Sequence, residues 1–155
     1  MSLEDLEKRI QVLEDIEAIK RLKAHYARII DGPAPQKVGK IMTENAVLNY
    51  GNLGVIKGRK AIADYFERYP DIRSFRVHYF SQPEITVEGD KAFGRWYMWV
   101  PCSTGDGRAI WSSGYEEEKY EKVNGEWLIA ELKLISIFRT PYEEGWHKKK
   151  FVDED

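Results

Sequence analysis

Apolar residues return at three- and four-residue steps through Leu6, Ile10, Leu13, Ile16, Ile19, Leu22, Tyr26 and Ile29. This spacing predicts one amphipathic helix over about residues 3–31, stopped by Gly32-Pro33. Its length exceeds the usual globular range, so the first third, about residues 1–14, reads as a separate turn of helix or as an arm that packs against another subunit. Residues 35–42 predict a short helix with Pro35 in its first turn. Residues 46–50 and 54–58 predict a hairpin across Gly51-Asn52-Leu53-Gly54, and 59–70 a second amphipathic helix stopped at Pro70.

From residue 73 the period changes to two. Strands are predicted over 73–81, 84–89, 92–102, 108–123 and 126–140, with turns at Gly105-Asp106-Gly107 and Asn124-Gly125. Helices followed by a long meander imply an α+β fold, with the N-terminal helices packed on a strongly curved, mainly antiparallel sheet. Strands of the length predicted here must coil, and a coiled sheet capped by helices encloses a cone-shaped cavity. The expectation is one domain over 1–155, ending in a charged tail over about 141–155.

Composition narrows the classes of function. The chain is 43% hydrophobic and 32% charged with a net charge of −2, the profile of an ordinary soluble domain. No basic stripe suited to nucleic acid occurs; His147-Lys148-Lys149-Lys150 is followed by Asp153-Glu154-Asp155 and reads as a solvated tail. The single cysteine, Cys102, points to a reducing compartment and reads as a buried small apolar residue. The N-terminus is too charged for a signal peptide, and no apolar run approaches the roughly 20 residues of a membrane span. The expected location is the cytoplasm, without membrane association.

Candidate chemistry centres on few residues. Of three histidines, His25 and His147 read as exposed, whereas His78 lies in RSFRVHYFS among large apolar residues on both faces of a strand. It is either a core histidine bonded to a backbone carbonyl or a functional base. Asp31 ends the apolar helix, where a negative charge opposes the helix dipole at a cost of a few tenths to about 1 kcal/mol. It is either a turn residue before Gly32-Pro33 or the partner that fixes the His78 tautomer and raises its basicity. Tyr26 is either core or a phenol that polarises a carbonyl, although five helical residues place it about 140° from Asp31 around the axis. Arg139 is either a rim charge paired with Glu143 or Glu144, or a clamp for developing negative charge. The histidines are scattered, and no metal-binding spacing, nucleotide loop or nucleophile elbow occurs, so neither metal nor cofactor is expected.

DIEAIKRLKAHYARIIDG (15–32), VHYFSQPEIT (77–86), GRWYMWV (94–100) and EEKYEKVNGEWLI (117–129) carry a resemblance. Through them the chain resembles the SnoaL-like branch of the NTF2-like (cystatin-like) superfamily, nearest to bile-acid 7α-dehydratases and related dehydratases and dehydrochlorinases. The resemblance implies a cofactor-independent lyase with Tyr26, Asp31 and His78 catalytic, acting on an apolar, ring-containing substrate, steroid-like, alicyclic or aromatic. It also implies a homo-oligomer, a trimer ahead of a dimer. Bile-acid dehydratases carry a further acidic residue where this chain reads Met98-Trp99-Val100, which implies a relative with another substrate. Substrate contacts are expected from Arg139, Tyr50, Phe66, Tyr97 and Trp111. The same fold also serves as a non-catalytic binding or assembly module, and an isomerase would use the same proton abstraction.

Overall fold

A computed structural model describes residues 1–152, so Asp153-Glu154-Asp155 of the charged tail lie outside the described residues. Helix α1 spans Leu3–Asp31 without interruption. Ser2 starts it with a capping box: its hydroxyl accepts from the Asp5 N–H at 3.1 Å, and the Asp5 carboxylate accepts from the Ser2 N–H at 2.8 Å. Gly32 ends it, since a Cβ there would stand 2.8 Å from the Arg28 carbonyl oxygen. Residues 1–14 are exposed, Leu13 at 65%.

The buried seam of α1 differs from its apolar stripe. It runs through Asp15, Ile19, Lys23, Tyr26 and Ile30. The two charges are matched across the interface with the sheet. Asp15 accepts from Trp127 Nε1 at 2.8 Å and pairs with Lys122 at 2.6 Å. Lys23 pairs with Glu116 and Glu118.

After a 3₁₀ segment at Pro35–Ile41, β1 (Met42–Asn49) and β2 (Val55–Lys57) form the expected hairpin. Helix α2 is Arg59–Glu67 and stops before Pro70. Proline does not end that helix; it opens a separate turn, α3 (Tyr69–Ile72), where its missing N–H costs nothing.

The stretch predicted as one strand over 73–81 is divided. β3 (Arg73–Arg76) and β4 (Tyr79–Glu88) lie along the same edge of β5 (Lys91–Thr104), separated by Val77-His78. His78 therefore sits in a break, not mid-strand. The expected cover on both faces is also absent, because Phe75 and Tyr79 are 55% and 59% exposed. β4 continues through the predicted 84–89 strand, with a bulge where Gln82 takes a positive φ of 51°.

β6 (Ala109–Val123) and β7 (Glu126–Pro141) form a long hairpin. Asn124 and Gly125 take φ of 51° and 82°, the pair of left-handed residues that a tight hairpin turn of matching twist needs. The sheet order is β2-β1-β7-β6-β5-β3, with β4 also on β5; β1 and β7 pair in parallel and the other named strand pairs are antiparallel. The fold is thus α+β, with α1 and α2 on one face of a curved, mostly antiparallel sheet. A short α4 (Gly145–Lys148) follows β7. Among the described residues, no helix is long and apolar enough to cross a membrane.

The inner face is set by the even-numbered residues of β5 and β6, including Trp96, Met98, Val100, Ile110, Glu116, Glu118 and Tyr120, which are buried. A bulge at Ser113/Gly114 bends β6 where it meets β7, and a Cβ on Gly114 would overlap the Ile135 carbonyl oxygen. Gly114→Ala should therefore cost about 1–3 kcal/mol. For a chain of this size that is a drop of roughly 2–4 °C in Tm per kcal/mol, read by thermal unfolding; an unchanged Tm would show that the bulge is not tightly packed.

Candidate active site

The two ends of the break between β3 and β4 face the end of α1. Arg76 donates from Nε to the Ile30 carbonyl at 2.7 Å and from a terminal nitrogen to the Gly32 carbonyl at 3.2 Å. A guanidinium thus sits on the orphan carbonyls of the helix end, which offsets the dipole that makes Asp31 costly there.

Asp31 accepts twice from one residue. Its Oδ2 takes the His78 backbone N–H at 2.8 Å, and its Oδ1 lies 2.5 Å from His78 Nδ1. A carboxylate only accepts, so the proton is assigned to Nδ1 and the lone pair of the neutral ring to Nε2. The His78 side chain is 8% exposed, and its ring stacks on Phe80 with centroids 6.0 Å apart. The break in the strand has a use: it releases the His78 N–H from the sheet ladder and hands it to Asp31.

A cavity of about 780 Å³ opens beside this pair, within the range of small-molecule sites. His78, Tyr26, Tyr50, Phe66, Glu116 and Arg139 are among the residues that line it. Asp31 does not line it; it stands behind His78, which removes the difficulty of the angle between Tyr26 and Asp31 around the helix. Tyr26 and Tyr50 are neighbours in this wall. Both phenols are pushed well above their ordinary value, first by burial and then by neighbouring ionisable groups, so at neutral pH they remain O–H donors. Cys102 is buried in the same wall, and burial pushes its thiol up.

Two expected wall residues are elsewhere. Tyr97 and Trp111 have the opposite parity to the inner residues of β5 and β6 and project from the outer face. Tyr97 packs on Tyr115 with Arg95 nearby, and Trp111 packs on Trp99 and Tyr142. Both faces of these strands carry aromatics, so alternation alone left the choice of face open.

Residues 11–133 match the SnoaL-like domain family. The chain belongs to that family. Among solved structures it is similar to the hexachlorocyclohexane dehydrochlorinase LinA-type3 from Novosphingobium barchaimii LL02, at 19% identity and TM-score 0.77 over 88% of this chain and 93% of that one. It is similar to an NTF2-like protein with a cystatin-like fold from Novosphingobium aromaticivorans, at 23% identity and TM-score 0.72 over 86% and 88%. A protein of the same organism provisionally named a scytalone dehydratase matches at 21% identity and TM-score 0.77 over 84% and 89%. At these identities the likeness establishes the NTF2-like fold.

Sequence reasoning passed over the most buried cation among the described residues of this SnoaL-like chain. Lys23 is 1% exposed. Its ammonium reaches Glu116 and Glu118 and lies 3.7 Å from the Phe80 ring centroid and 4.6 Å from that of Tyr26. Burial pulls the ammonium pKa down, but the two carboxylates outweigh it and the net shift is upward. Glu118 also accepts from Tyr120, whose oxygen accepts from Trp96 Nε1 at 2.9 Å. Glu116 is raised to about 7, by burial first and by Glu118, against the pull of Lys23. A signal was present: Lys23 falls four residues after Ile19, and Glu116, Glu118 and Tyr120 share a face by alternation. Arg76 was likewise unassigned, although its strand position on the His78 face was legible.

Folded Glu116 holds its proton up to about pH 7, whereas the ordinary value is 4.5. The folded chain therefore binds a proton that the unfolded chain releases between those values. The resulting stability is full below about pH 4.5 and is lost as pH rises through 7. The Tm of Glu116→Gln minus that of wild type should rise by several degrees from about pH 5 to about pH 8; a flat difference would place the carboxyl at its ordinary value. Asp31→Ala should remove the far-downfield ring N–H proton of His78 from the ¹H NMR spectrum. It should also cost about 1–3 kcal/mol for the orphaned His78 N–H. Persistence of that resonance would mean that another acceptor holds the ring.

Proposed function

We propose that this SnoaL-like protein is a cofactor-independent lyase of the dehydratase type, acting on an apolar, ring-containing substrate. The observation that carries the reading is the Asp31–His78 pair beside a cavity walled by phenols and apolar side chains. The known dehydrochlorinase of similar fold lends support, since loss of HCl and loss of water both begin with removal of a proton from carbon.

In this reading the substrate carbonyl accepts from the O–H groups of Tyr26 and Tyr50, which stay protonated at neutral pH. His78 Nε2 takes a proton from the carbon beside that carbonyl. Asp31 holds the ring through Nδ1 and stabilises the imidazolium as it forms. The phenol donors stabilise the negative charge that builds on the carbonyl oxygen. Arg139 and Phe66 contact the remainder of the substrate. The cavity size and the aromatic lining favour a steroid-like or alicyclic skeleton. The exposed aromatic outer face, with Tyr97 at 40% and Trp146 at 58% exposure, supports a homo-oligomer; in this reading a trimer ahead of a dimer comes from the family resemblance, and a cytoplasmic location from the single cysteine, Cys102.

Each acid–base group of this kind supplies about 10²–10⁴ in rate. In a screen of β-hydroxy cyclic ketones, His78→Ala should lose turnover by that factor while its circular dichroism and Tm stay close to wild type. Turnover of the variant near the wild-type rate would exclude His78 as the base.

A further inference from the structure

Proton abstraction by His78 accounts for half of an elimination from an alcohol. Hydroxide is a poor leaving group, so its oxygen must gain a proton as the C–O bond breaks. Tyr26 and Tyr50 are poorly suited to give up a proton outright, because burial and neighbouring ionisable groups push both phenols well above their ordinary range. His78 is occupied as the base. Within the cavity wall, Glu116 is a carboxyl group that the proposed chemistry does not yet use.

Its surroundings are specific. Glu116 and Glu118 are two carboxyl groups of one strand on a single ammonium, that of Lys23, and all three side chains are nearly inaccessible to water. Three full charges in a dry site leave one negative charge uncompensated, which is costly. One bound proton removes it. Glu118 is the deeper of the two, wholly buried and taking hydrogen bonds from both Lys23 and Tyr120, which suits an ionised carboxylate. Glu116 faces the cavity, where a proton can be given to a ligand. The charged and titratable groups around it are Lys23 and Tyr26 from α1, Glu118 and Tyr120 from β6, and Tyr50 from the loop after β1. Arg139 of β7 and His78 line the same cavity.

The base and this carboxyl are placed apart. His78 precedes β4 at the level of Val100 of β5 and Ser112 of β6, so Glu116 stands two strand spacings of about 4.8 Å away across the sheet and four residues further along β6. The Phe80 ring, stacked on His78 and touched by the Lys23 ammonium, stands between the two ends of the site.

We propose that Glu116 is a catalytic acid of this site, delivering the proton that turns the leaving hydroxyl of a β-hydroxy carbonyl substrate into water. The inference rests on the lyase reading. His78 Nε2 takes the proton from the carbon beside the carbonyl, and that C–H electron pair becomes the new C=C bond. The C–O bond breaks with its electrons on oxygen, and the Glu116 carboxyl proton joins that oxygen. Imidazolium and carboxylate remain, and passage of one proton from His78 to Glu116 by way of water restores both. Substrate becomes enone plus water, with no oxidant or reductant. A carboxyl that holds its proton to about pH 7 is matched to this task at neutral pH. Lys23 is a positioning residue here: it fixes the Glu116 carboxyl and stabilises it once the proton has left.

The test compares two probes, 3-hydroxycyclohexanone and 3-(4-nitrophenoxy)cyclohexanone. The second expels a stable phenolate and needs no acid. Glu116→Gln should lose about 10²–10³ in kcat on the first and only a few-fold on the second, a split that a merely structural role would not produce. His78→Ala should lose both. Equal losses of Glu116→Gln on the two probes, or none on either, overturn the proposal. Infrared spectroscopy of the whole protein gives a readout independent of turnover. A protonated-carboxyl C=O band should be present at about pH 6, absent from Glu116→Gln, and titrate away as pH rises through neutrality. A band that survives in Glu116→Gln, or no band at all, overturns the proposal even where neither probe reacts. Failure of wild type on both probes with the band present strikes the lyase reading, and with it the acid role of Glu116.

Discussion

One buried ammonium holds the helix to the sheet. Lys23 emerges from the middle of α1 and ends between two carboxyl groups of β6, in a place that water does not reach. Removing an ion pair from water costs several kcal/mol per ion unless geometry and further hydrogen bonds repay it. Here the repayment is visible in the Tyr120 hydroxyl on Glu118, the Trp96 N–H on Tyr120, and the Phe80 and Tyr26 rings under the ammonium. Asp15 with Lys122 and Trp127 does the same nearer the start of α1. Ionic anchors of this kind fix the rotation and the axial position of a helix more sharply than an apolar stripe, which tolerates sliding.

That fixed position has consequences at the end of the helix. With α1 set against the sheet, Asp31 arrives at the break between β3 and β4, where it meets both the ring and the backbone N–H of His78. Arg76 closes the same junction by donating to the last helical carbonyls. Tyr26 and Ile30, on the buried seam, become cavity wall, while Asp31 turns behind the imidazole. The anchor and the site are therefore two polar clusters carried by one helix, with the Phe80 ring between them. One runs from Glu118 through Lys23 to Glu116 at the cavity, the other from Asp31 to His78.

Much of this was legible along the chain. The limits of α1, the hairpin at Asn124-Gly125 and the long strands followed from periodicity and turn chemistry; a carboxylate at a helix end made Asp31 a candidate partner for His78, and the family resemblance put the two together. Three readings went astray for identifiable reasons. The strand around His78 was taken as continuous because its residues alternate, yet the ladder yields where a side-chain acceptor captures the N–H. Pro70 was taken as a stop, yet proline also begins a helical turn. Tyr97 and Trp111 were placed in the cavity because aromatics occupy both faces of β5 and β6, so hydrophobicity does not say which face is inside.

Sequence by itself determined most of the elements, their order and the end of α1 at Gly32-Pro33, because these depend on local backbone preference and on residue types close in the chain. Tertiary structure decided that Lys23, Glu116 and Glu118 are interior groups. In the chain they stand among other charged residues, and only the meeting of a helix with a strand some 93 residues away supplies the partners that make their burial tolerable. A charge is placed by what neutralises it, and for these groups the neutralising partner is set by packing, not by neighbours in sequence.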